Sequence, residues 1–233
     1  MTFDLLSAFG KGFLFALAAL LPILNPAATA PIFLGLTEGA SQTTRALLAR
    51  RIARNMFWLL LGAMLIGSYV LEFFGISLPI VRVGGGLIVA ANAWRLLTAT
   101  QVAVDSRTEL AESFTPDMAR RQAFYPLTFP VSCGPGSIAA AITVGVSLSD
   151  ARLSLSLARI GGGVLALLAS GVLLYLAFRY AQQLLKPLGE AGTVIFLRMA
   201  AFILLCLGVQ IVWDGASELL VDLLRDGLTS PHA

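Results

Sequence analysis

The apolar residues of this chain fall in nearly uninterrupted blocks of roughly 20, the length a helix needs to cross about 30 Å of hydrocarbon. They follow neither the 3.6-residue stripe of a soluble helix nor the alternation of a half-buried strand. A 233-residue chain that is 58% hydrophobic and 12% charged cannot cover such blocks with its own polar surface, the charged share being about half that of an ordinary globular domain. The expected class is an all-α, polytopic membrane protein.

Charged and turn-rich breaks divide the apolar blocks into six expected spans: Ser7 to Thr37, Asn55 to Phe74, Leu78 to Thr98, Ala123 to Val146, Ile160 to Phe178 and Val194 to Asp214. Trp58, Trp94 and Trp213 fall near block ends, where indole rings favour the membrane interface. The first 30 residues imitate a secretory leader, but Pro31 follows the small triplet Ala28-Thr29-Ala30 and no basic segment precedes the apolar stretch. The segment is therefore expected to stay as a helix. Ten Lys and Arg residues lie in the loops 37–54, 98–122 and 179–193 or, for Arg95, at the span end beside them, against four on the opposite side. The excess of basic residues on cytoplasmic loops places these three loops inside and both termini outside.

Composition also excludes function classes. A net charge of +3 with scattered basic residues offers no stripe for a phosphate backbone, so no nucleic-acid partner is expected. Cys133 and Cys206 lie inside apolar runs and the single histidine is His232, so no Cys/His metal site is expected and no cofactor is implied. Both thiols read as packing residues. The partners expected are the lipid bilayer and a small solute, and the sequence is compatible with a homo-oligomer.

The second half repeats the first. Ala53-Arg54 aligns with Ala158-Arg159, and Ile80-Val81-Arg82-Val83 with Phe196-Leu197-Arg198-Met199. Three spans per half is an odd number, so the two halves must enter the membrane from opposite sides, as inverted repeats do. The expected organisation is a first three-helix repeat over 1–99, a cytoplasmic linker over 100–122 and a second repeat over 123–233.

Function is sought where the first and fourth spans break mid-membrane. Pro22, Pro26 and Pro31 fall within ten residues, and each interior proline costs about 3 kcal/mol in a continuous helix. Asn25-Pro26 is also a helix start, with asparagine as cap and proline at the first position. In the fourth span, Pro126 and Pro130 precede Gly134-Pro135, where glycine takes the cap position. Freed backbone groups cannot face lipid and must be buried in protein or line a wet cavity. Two helix N-termini meeting there, each with roughly half a positive charge, suit a carboxylate, a phosphate or another electron-rich group. The kinks also admit a reading in which they only shape the bundle.

These motifs resemble the MarC family of bacterial inner-membrane proteins: Asn25-Pro26 with Pro31-Ile32-Phe33, then Pro126-Leu127, Pro130 and Gly134-Pro135-Gly136-Ser137-Ile138. The resemblance covers nearly the whole chain, and the family is similar to the LysE-type exporters, which implies export of small solutes. Ala27-Ala28-Thr29 departs from the pattern, since members commonly carry glycine just after the first Asn-Pro pair. The expected solute site comprises Asn25, Pro26, Thr29 and Pro31 at the first break and Pro130, Ser132, Gly134, Pro135, Gly136 and Ser137 at the second, with Arg82 and Arg198 extending it. Glu72 is a candidate partner of Arg82. Asn92 and Gln210 are expected to hydrogen-bond between helices, and the runs Gly84-Gly85-Gly86 and Gly161-Gly162-Gly163 to allow close helix contacts.

A structural or regulatory subunit is the alternative function. A lipid-phosphate enzyme is less favoured, because Ser132, Ser137 and Thr29 have no histidine or central carboxylate to activate them. No carboxylate sits near the centre of any span, so proton coupling has no obvious carrier.

Overall fold

A computed structural model describes residues 2–37, 40–98, 123–150 and 152–229. The expected linker 100–122 and His232 lie outside the described residues. Among the described residues all regular structure is helical: α1 (Thr2–Leu24), α2 (Pro26–Leu36), α3 (Gln42–Phe73), α4 (Leu78–Thr98), α5 (Ala123–Ser132), α6 (Pro135–Leu148), α7 (Leu153–Arg179), α8 (Ala181–Leu185) and α9 (Gly189–Thr229), with a 3₁₀ turn at Lys186–Leu188. Four stretches are long and apolar enough to cross a membrane, Phe3–Leu36, Gln42–Phe73, Leu153–Arg179 and Ala191–Arg225; α5 and α6, bent by 70° at their junction, make a fifth if taken as one span. Helix α4, the third of the expected spans, is not among them; Arg82, Asn92 and Arg95 lower its hydropathy.

Two expected loops are helical instead. The segment 37–54 turns into α3 at Gln42, because Ser41 caps the helix start by accepting from the Thr44 amide at 3.1 Å, and arginine, frequent here, is a good helix former. The segment 179–193 holds α8, the 3₁₀ turn and the start of α9. Hydropathy marks where a helix meets lipid, not where it begins.

The core is built by α1, α2, α3, α5, α6 and α7. Along α3 the buried residues Leu48, Ile52, Met56, Leu60 and Met64 recur every four positions and form one stripe. Phe33 of α2 stacks on Phe178 of α7 with ring centroids 4.5 Å apart. Helix α9 packs chiefly on α4, α1 chiefly on α7, and α3 on α6 and α7.

Small residues set these contacts. A Cβ on Gly162 would lie 2.2 Å from the Phe9 carbonyl oxygen, and one on Gly86 would lie 2.8 Å from that of Gly208. A Cβ on Gly145 would meet the Met64 carbonyl oxygen at 1.9 Å. Lipid tails are as apolar as the side chains they touch, so close backbone approach and van der Waals contact, rather than exclusion of water, hold such helices together. Both glycine runs therefore serve packing, although nothing approaches Gly84.

Candidate functional site

The first helix start is built around Asn25. Its backbone takes the left-handed conformation, φ 42° and ψ 63°, which ends α1 and lets α2 begin at Pro26. Asparagine tolerates this conformation better than most residues. Its Oδ1 accepts from the Ala28 amide at 3.2 Å, and its Nδ2 lies 3.5 Å from the Ala200 carbonyl oxygen on α9. Thr29 is buried, and its hydroxyl donates to the carbonyls of Asn25 and Pro26 at 3.1 and 3.3 Å. Pro26 and Pro31 are half-buried. At the far end of α2, Arg45 donates from Nε and Nη2 to the Thr37 carbonyl at 3.2 and 3.0 Å.

The second start is made differently. Tyr125 and Phe129 leave helical geometry, with φ near −119° and −118° and ψ near 125° and 124°, as residues preceding proline are pushed to do. The Phe129-Pro130 peptide is cis. Side chains take up the carbonyls so freed: the Thr128 hydroxyl donates to Ala123 at 2.5 Å and the Ser132 hydroxyl to Leu127 at 2.6 Å, while the Cys133 amide donates to Thr128 at 2.8 Å. Gly134, extended at φ −85° and ψ −179°, precedes Pro135 at the first position of α6 and offers no side-chain cap.

The expected site residues are placed unevenly. Ser132, Ser137 and Gly136 are buried and Pro130 is exposed. Gly136 is a packing residue, since a Cβ there would come within 2.0 Å of Val89 and 3.2 Å of the Gly85 carbonyl oxygen. Arg82 is ion-paired with Glu218 of α9, not with Glu72, one turn inside α4. Arg198 is exposed on α9 with no ion pair among the described residues. Asn92 is exposed, and Gln210 donates to Asp214 on its own helix at 2.7 Å, so neither links two helices. Cys133 is fully buried as a packing thiol, whereas Cys206 is exposed on α9.

Two cavities lie away from the breaks. One, of about 320 Å³, sits at the α3–α4 corner against the end of α6 and is lined by Ser68, Glu72, Ser77 and Val146. The other, of about 410 Å³, lies between the end of α2, the start of α3 and the α7–α8 corner. Sequence reasoning missed the second because its residues were assigned to loops. Ser41, a cap residue just ahead of Arg45, was the signal available.

The family model for MarC family integral membrane proteins matches residues 10–220. The chain belongs to the MarC family. It is 31% identical over 219 residues to the inner membrane protein MarC of Escherichia coli O1:K1, covering 93% of this chain and 97% of that one. The protein of the same name in Escherichia coli O157:H7 is 31% identical over 222 residues, and that of strain K12 is 30% identical over 219, with the same coverage. No solved structure gives a significant match. Both helix starts of this MarC-family chain fall inside the matched region, and membership makes it an integral membrane protein.

Proposed function

We propose that the chain carries a small polar or anionic solute across the bacterial inner membrane, held between the starts of α2 and α6 near the bilayer midplane. The observation that supports this most is that the two helices begin by one plan, a cap residue followed by proline. The N-terminal amides and dipole of a helix favour electron-rich ligands. The inner-membrane setting is that named for the Escherichia coli relatives.

The packing supports an inverted duplication. Exchanging the halves turns α1 and α2 into α5 and α6, α3 into α7, and α4 into α9. The α1–α7 and α2–α7 contacts then map onto the α3–α5 and α3–α6 contacts, and the α4–α9 and α3–α7 contacts map onto themselves, and all of these are made. The basic excess on one side places both termini in the periplasm. No enzymatic role is proposed, because the Thr29 and Ser132 hydroxyls are spent on nearby carbonyls.

The test is flux of a metabolite pool in proteoliposomes, comparing the intact chain with Asn25→Ala and Pro135→Ala. Reduced flux for at least one solute in both variants is expected, and equal flux for every solute in all three removes the assignment. One observation favours the competing reading of a structural or regulatory subunit: Cys133 beside the second start is 0% exposed, so this conformation is closed there. A carrier must open. An impermeant thiol reagent should therefore label Cys133 from one side during turnover, and complete protection from both sides supports the subunit reading instead.

A further inference from the structure

We propose that the cavity between the end of α2, the start of α3 and the α7–α8 corner binds an oxyanion group, a phosphate or carboxylate, borne by a free solute or by an anionic lipid headgroup. The site stands apart from the transport reading and does not depend on it. Its volume of about 410 Å³ falls within the range of small-molecule sites. Two arginines from different helices line it, Arg45 of α3 and Arg179 of α7, and no carboxylate is among its described lining residues. Arginine is the side chain best suited to hold a carboxylate or phosphate through paired N–H donors, and two of them line this one cavity.

Both cations are held in place. Arg45 spends two donors on the Thr37 carbonyl, leaving three of the five that a guanidinium carries. Arg179 donates to the Tyr175 hydroxyl and lies 5.7 Å from the ring centroids of both Tyr175 and Tyr180. Side chains fixed in this way lose little freedom when a ligand arrives. Thr43 and Gln183 add neutral donors, and Leu34 and Phe178 add an apolar wall, Phe178 being fixed by its stack on Phe33. The arrangement is a polar mouth over an apolar floor.

The cavity of about 320 Å³ at the α3–α4 corner is the natural comparison. It occupies the corresponding place at the end of α6, yet is lined by Glu72 and by no cation. An oxyanion is therefore expected at one of these two cavities and repelled from the other.

The experiment uses the full chain in phosphatidylcholine nanodiscs, with thermal unfolding followed in two arms at constant ionic strength. One arm titrates inorganic phosphate, and the other replaces phosphatidylcholine stepwise with phosphatidylglycerol. A saturable rise in Tm is expected in at least one arm. Phosphate alone identifies a free anion, phosphatidylglycerol alone a headgroup, and both together a site that accepts either. Losing one charge-assisted contact should shift the midpoint of the responding arm about tenfold in Arg179→Gln. Gln183→Glu, an exposed change that leaves the fold alone, should abolish the response, and Glu72→Gln should leave it unchanged. No saturable rise in either arm overturns the proposal. So does a rise that both Arg179→Gln and Gln183→Glu retain at the same midpoint.

Discussion

Asn25 can be interrogated by a sign test. At a helical position glycine is worse than alanine by about 0.5 to 1 kcal/mol, because it loses more backbone freedom on folding. At Asn25 the backbone is left-handed, φ 42° and ψ 63°, where a Cβ costs roughly 1 to 2 kcal/mol. The Oδ1 cap on the Ala28 amide is lost in both variants, and replacing a capping asparagine costs about 1 kcal/mol with alanine but only a few tenths with glycine. Asn25→Ala should therefore be destabilised by about 2 to 3 kcal/mol and Asn25→Gly by less than about 1 kcal/mol. The order expected is wild type, then glycine, then alanine. Thermal unfolding in detergent, followed by tryptophan fluorescence, measures it, and a gap near 2 kcal/mol corresponds to roughly thirtyfold in the folding equilibrium. If Asn25→Ala is as stable as Asn25→Gly or more so, the chain runs through residue 25 as ordinary helix, and the argument for a helix start at Pro26 fails with it.

Two further outcomes follow from packing and charge. Gly145→Ala must separate α3 from α6 by about 1 Å, since its Cβ would lie 1.9 Å from the Met64 carbonyl oxygen, and should cost about 1 to 3 kcal/mol; Gly62→Ala, with nothing within 4 Å, should raise stability instead, and the same unfolding assay reads both. The Arg82–Glu218 pair, with side chains 21% and 44% exposed, should be worth no more than about 1 kcal/mol, so Arg82→Gln, Glu218→Gln and the double variant should unfold at closely similar temperatures. A loss above about 3 kcal/mol in either single variant would mean a buried, uncompensated charge.

The helix starts were legible because their signals are local and steric. Proline removes an amide and restricts the residue before it, so Asn25-Pro26 and Gly134-Pro135 mark where α2 and α6 begin, and Tyr125 and Phe129 mark the kinks ahead of α6. Which face of an apolar helix meets lipid was not legible, because hydrophobicity is the same on both sides when the solvent is itself apolar. Cys206, Asn92 and Gln210 were misplaced for that reason. The Arg82–Glu218 pair joins residues 136 apart in sequence, and the nearer Glu72 was as plausible a partner on charge alone. The arginine-rich stretch before Asn55 was read as loop because charge ends a hydropathy block, whereas helix α3 is set by its cap at Ser41.

The two breaks share a further property that neither has alone. Each is tied by an asparagine amide to the other half of the chain. Asn25, in the first half, reaches the Ala200 carbonyl on α9, and Asn55, on α3 of the first half, reaches the Thr128 hydroxyl of α5, both at 3.5 Å. Thr128 in turn closes the Ala123 carbonyl and receives the Cys133 amide just ahead of Gly134. Bonds of this length are weak, so they resist sliding of one half against the other only slightly, yet any such movement changes both helix starts together. Coupling of this kind is what the carrier proposed above requires, since alternating access rocks the two halves about a shared site.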